Sequence, residues 1–82
     1  MDRSQVGSTI VNILSEKLSI DKQKITPEAR LVEDLGMDSF GSIEVIFELE
    51  DAFKIKIPDQ DMIKTPTVGD IIEYISARTA LS

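Results

Sequence analysis

Three stretches of this chain repeat apolar residues at three- and four-residue intervals, and proline and glycine separate them. That spacing puts the apolar residues on one side of a helix, so each stretch needs a neighbour to cover it. The first runs from about Ser4 to Leu18, with Val6, Ile10, Ile13, Leu14 and Leu18 as its stripe and Ser4 or Asp2 as its N-cap. The second runs from Ser39 to Phe53. The third runs from Thr67 to about Ala80; Thr67 caps it, Asp70 completes a partial capping box, and Val68, Ile71, Ile72 and Ile75 are to be buried. Between the last two, "IPDQDMIKT" suits a short helical turn capped by Asp59 and stopped by Pro66. The stretch "FKIKI" alternates, but it is too short and isolated for a sheet. The expected fold is all-α: a small bundle of three main helices plus one short helix, with a long loop between helices one and two.

That loop, "SIDKQKITPEARLVEDLGMD", offers only Ile25, Leu31, Val32 and Leu35 as anchors. Connections of about 20 residues without structure are unusual in compact domains, so this one should be pinned by those anchors or be functional. It delivers the chain to Ser39.

With 82 residues there is apolar material for a single core, so the chain reads as one domain over residues 1–82. It contains no cysteine and no histidine, which removes disulfides, thiolate metal sites and the commonest general base. Asp59 and Asp61 resemble the start of a calcium loop, but Lys64 stands where that loop needs glycine, so no metal site is expected. The N-terminus lacks the apolar run of a signal peptide, and no stretch approaches the roughly 20 residues of a membrane span. A cytoplasmic location is the default. A net charge of -6 opposes nucleic-acid binding, which depends on cations that neutralise phosphates. Nine of the fifteen acids lie between residues 33 and 61, against two of the nine bases, Lys54 and Lys56. Basic protein surfaces are the expected partners, unless the run is merely a solvated face.

On a helical wheel the second helix divides into two arcs. Val45, Ile46, Leu49, Ala52 and Phe53 face the other helices. Phe40, Ile43 and Phe47 share the opposite arc with Glu44, Glu48, Glu50 and Asp51. A solvated face has no use for two phenylalanines. Either the long loop folds back over Ile43 and Phe47, or the arc is a docking strip, apolar in the middle and acidic at the rim. Phe40, Ile43, Glu44, Phe47, Glu48 and Asp51 are the docking candidates, and the strip leads to Ser39.

Ser39 itself could cap the helix, act as a nucleophile, or serve as an attachment point. The second option fails: "GMDSFG" spaces its residues as G-x-x-S-x-G, no strand precedes it, and no histidine exists to activate the hydroxyl. The chain is not expected to be an enzyme.

The stretch "LGMDSFGSIEVIFELEDAFKIKIPDQD", together with "ITPEARLVEDLG" before it and "TVGDIIEYI" after it, resembles the acyl carrier protein family across most of the chain. The resemblance implies that Ser39, following Asp38 in the D-S core, receives 4′-phosphopantetheine from coenzyme A through a phosphopantetheinyl transferase. The arm's thiol would then carry acyl groups as thioesters for fatty acid or polyketide-like synthesis. It also implies a monomer whose acyl-transfer, condensing and modifying partners present basic patches. An acyl cargo would fold back among Val45, Ile46, Leu49 and Phe53. Peptidyl or D-alanyl carriage, or an unmodified acidic adaptor, are the alternatives. Two positions depart from the family's pattern: Phe40 and Gly41 stand where leucine and aspartate are usual. Gly41 removes an acid beside the attachment point and costs the helix about 0.5 to 1 kcal/mol relative to alanine.

Overall fold

The structure is a computed structural model that describes residues 3–58, 60, 61 and 64–79. Helix α1 spans Arg3–Leu18, helix α2 Ser39–Phe53 and helix α3 Val68–Thr79. The expected all-α bundle is what forms. Helix α1 packs against both of the others.

Local chemistry sets each boundary. Ser4 lies inside α1 and does not cap it, and Asp2 falls outside the described residues. The helix ends at Ser19 in the left-handed region (φ 55°), where the Ile20 amide turns back to the Ser15 carbonyl at 3.1 Å. Helix α2 ends the same way, at Lys54 (φ 56°), whose amide donates to the Glu50 carbonyl. The capping box of α3 forms in both directions. The Asp70 amide donates to Thr67 Oγ1 at 3.2 Å, and the Thr67 amide donates to Asp70 Oδ2 at 3.3 Å.

The faces that turn inward are the predicted ones, with three exceptions, of which Leu18, in the last turn of α1, is only half-buried against the core. Val6, Ile10, Ile13 and Leu14 of α1 meet Val45, Ile46, Leu49 and Phe53 of α2 and Val68, Ile71 and Ile75 of α3 in one core. Ile72 is only half-buried, at the seam where its Cδ1 lies 3.7 Å from the Cβ position of Gly7. Ala52 is exposed, because it sits at the edge of the arc and its methyl is too short to reach the core.

The long loop is pinned rather than free. Ile25, Leu31 and Leu35 are buried, and so are Ala29 and Met37, which were not anticipated as anchors. Val32 is not an anchor: it is 65% exposed. The reason is a tight double turn, in which the Asp34 and Leu35 amides both donate to the Arg30 carbonyl and the Met37 amide returns to that of Leu31. Leu31 and Leu35 point inward from it, and Val32 is left outside. Gly36 closes the turn with φ 71°, a conformation that side chains disfavour. A 3-10 turn, Lys22–Lys24, adds structure that periodicity did not reveal.

Two further ties were also hidden. Arg30 pairs with Thr67 in an isolated antiparallel bridge. Around it the Leu31 amide donates to the Pro66 carbonyl, and the Val68 and Gly69 amides donate to those of Ala29 and Pro27. "FKIKI" forms no strand; Ile57 goes into the core and Ile55 packs on its edge. Of the short turn expected over 57–65, Gln60 and Asp61 are helical, while its cap Asp59 lies outside the described residues.

Candidate functional site

The site begins where the loop enters α2. Asp38, in extended backbone (φ -103°, ψ -174°), is the N-cap, and its Oδ1 accepts the Gly41 amide at 2.7 Å. The Asp38 carbonyl accepts the Ser42 amide at 2.8 Å, the first backbone bond of the helix. Capping therefore falls to the aspartate, and Ser39 occupies the first helical position. Its hydroxyl is exposed and has no hydrogen-bond partner among the described residues. It opens on a shallow concavity lined by Val32, Met37, Asp38, Ser39 and Ser42. Nothing in the sequence marked Val32, Met37 or Ser42 as its surroundings; the double turn places the first two there.

Gly41 sits against the last turn of α1. A Cβ on it would stand 3.2 Å from Asp38 Oδ1 and 3.3 Å from Leu18 Cδ2. Any larger side chain at this position would press on the capping carboxylate and on Leu18 of α1.

The outward arc of α2 is open along its length. Phe40, Ile43 and Phe47 are 71%, 52% and 66% exposed, so the loop does not fold over them. Glu44 is half-buried beside them, and Glu48 and Asp51 are exposed. The acids are not equivalent. Glu48 Oε1 lies 3.5 Å from Lys17 Nζ of α1, and Asp51 Oδ1 lies 3.9 Å from Lys54 Nζ. Glu50 leaves the arc altogether: its Oε2 accepts the Ile57 amide at 2.8 Å. Val45, Ile46, Leu49 and Phe53, on the opposite arc, are buried in the core and do not reach the strip.

Residues 8–75 match the family model for the phosphopantetheine attachment site. An acyl carrier protein of Thermotoga maritima is 40% identical over 76 residues, 93% of this chain and 94% of that protein. One of Syntrophobacter fumaroxidans is 42% identical over 80 residues, 98% of this chain and 99% of that protein. Among solved structures, an acyl carrier protein from Enterococcus faecalis, 34% identical, superposes with a TM-score of 0.79 over 94% of this chain and 98% of its own. The family-model match includes Asp38, Ser39 and the strip. This chain belongs to the acyl carrier protein family, the carriers that hold their cargo on a covalently attached 4′-phosphopantetheine.

Proposed function

We propose that Ser39 is the attachment residue, that the outward arc of α2 receives the partner enzymes, and that catalysis belongs to those partners. One observation carries this reading: Asp38 spends its carboxylate on the Gly41 amide, which leaves the exposed Ser39 hydroxyl uncommitted at the head of the helix. When bound, the arm would supply a terminal thiol that carries acyl groups as thioesters.

The residues present suit a phosphodiester at Ser39. The Ser39 and Phe40 amides precede the first backbone bond of α2 and have no acceptor within the helix, so their dipoles favour an anion there. The neighbouring Asp38 carboxylate is engaged by the Gly41 amide that it caps. The concavity beside the hydroxyl gives an attached group room to leave the surface.

Phe40, Ile43 and Phe47 provide apolar contact for the phosphopantetheinyl transferase and the acyl-transfer, condensing and modifying enzymes. Glu44, Glu48 and Asp51 set the charge at the rim. Val45, Ile46, Leu49 and Phe53 are the residues among which an acyl chain would lodge, and they touch one another closely enough that a cargo must part them. No described helix is long and apolar enough to cross a membrane; the place of work assigned here is the cytoplasm, alongside such enzymes.

The test is intact mass after co-expression with a phosphopantetheinyl transferase, compared with Ser39→Ala. The expected result is the mass gain of one phosphopantetheine in the wild type and none in the variant. Modification of Ser39→Ala would sink the assignment. Cargo placement is tested separately: an octanoyl form that melts no higher than an acetyl form would leave the chain outside the core.

A further inference from the structure

The last turn of α1 forms one border of the strip. The two helices meet at position 41, where the Leu18 Cδ2 lies 3.3 Å from where a Cβ on Gly41 would stand. The preceding residue, Lys17, stands at the edge of the strip, with its Nζ 3.5 Å from Glu48 Oε1. Lys17 also lies at the C-terminal end of α1, where the helix dipole favours a cation. Asp51 has Lys54 beside it, although both side chains are more than 80% exposed (84% and 83%). Glu44 has no cationic partner among the described residues.

Building on the docking reading, we propose that Lys17 is a selectivity residue for the modification and use of this carrier, an internal cation at Glu48 that leaves Glu44 as the acid a partner can read. A uniformly acidic helix rewards any basic patch. Here a base aimed at Glu48 meets an occupied carboxylate and an adjacent positive charge, so it gains little and is repelled in part. A base aimed at Glu44, about one turn nearer to Ser39, meets no such competitor. The partner surface that fits therefore has its cation close to the mouth that takes the Ser39 hydroxyl, and apolar surface opposite Phe47.

The test measures the rate at which a phosphopantetheinyl transferase, with coenzyme A, modifies five apo proteins at low salt: wild type, Glu44→Gln, Glu48→Gln, Lys17→Gln, and Lys17→Gln with Glu48→Gln. Melting of each confirms that all are folded. Glu44→Gln should slow modification several-fold, and Glu48→Gln should slow it by a clearly smaller factor. Lys17→Gln should speed it, and on that background Glu48→Gln should become costly, because the carboxylate has been uncovered. The proposal is overturned if Glu48→Gln costs as much as Glu44→Gln in the wild type, or if its effect is the same with and without Lys17. If instead Glu44→Gln, Phe47→Ala and added salt all leave the rate unchanged, the docking reading itself fails and takes this proposal with it.

Discussion

The carboxylate of Glu50 reaches past the end of its own helix to accept the amide of Ile57, 2.8 Å away, across the left-handed turn at Lys54. The bond ties the exit of α2 to a residue buried in the core, and it is partly buried itself. Glu50→Ala leaves that amide without its acceptor and should cost about 1 to 3 kcal/mol in urea unfolding. Modification of Ser39 should proceed at the wild-type rate in the folded fraction. A large loss of rate with little loss of stability would add Glu50 to the docking strip.

A second tie depends on pH. Tyr74 donates its hydroxyl to Asp61, while Arg78 donates to the same carboxylate at 3.2 Å and lies 4.0 Å over the tyrosine ring. The tyrosine's hydrogen bond holds the Asp61 carboxyl below the usual carboxylate range, with Arg78 assisting against some burial. Because folding favours the ionised form, the stabilisation is complete above the unfolded pKa and is lost as pH falls through the lowered folded value. Asp61→Asn should therefore melt below wild type near neutrality, and the gap should close in acid. Tyr74 behaves oppositely, since burial and then the bond to Asp61 raise its pKa. Its contribution is present below the ordinary tyrosine range and fades above it, so the deficit of Tyr74→Phe should shrink in strong alkali. Melting curves across pH test both signs.

Phe47 decides between surface and core. At 66% exposure its truncation should change stability by no more than about 0.5 kcal/mol, as at other exposed sites, whereas a buried phenylalanine would cost about 3 to 5. The transferase should slow markedly on Phe47→Ala. Melting and modification rate measured on one sample separate the two outcomes, and a loss of several kcal/mol would place this ring back in the core.

Gly36 isolates backbone strain from packing. Its φ is 71°, and nothing lies within 4 Å of the position where a Cβ would stand. Gly36→Ala should thus cost about 1 to 2 kcal/mol through conformation alone. The effect should be seen in urea titration, and an unchanged midpoint would show that the double turn relaxes freely.

How far the sequence could be read follows from which interactions are periodic. The inward stripes of the three helices were legible because burial repeats every three or four residues. So was the place of Phe40, Ile43 and Phe47 on the outward arc, because they break that same pattern, whereas their exposure depended on where the long loop goes. The box between Thr67 and Asp70 was legible because it needs only neighbours three apart. What stayed hidden depends on contacts between distant residues. Val32 looks as apolar as Leu31, and only the backbone turn decides which of them points inward. Asp38 rather than Ser39 caps α2, a choice between adjacent residues that either side chain could make. Glu48 looks like Glu44 until Lys17, from another helix, is placed beside it.

The pairing of the long loop with the start of α3 has a consequence for how the chain opens. Val68 and Gly69 lie in the first turn of α3, where a helix offers no acceptors of its own, and they spend their amides on the carbonyls of Ala29 and Pro27. A Cβ on Gly69 would stand 3.1 Å from that Pro27 oxygen, so the contact depends on glycine. The loop is in effect the missing first turn of a helix nearly forty residues away in sequence, and neither can be released alone. In hydrogen exchange the amides of Leu31, Val68 and Gly69 should behave as one opening unit with a shared protection factor, although they belong to different parts of the chain. Any cargo or partner that loosens the loop beside Ser39 would then be felt at the far helix as a fraying of its first turn.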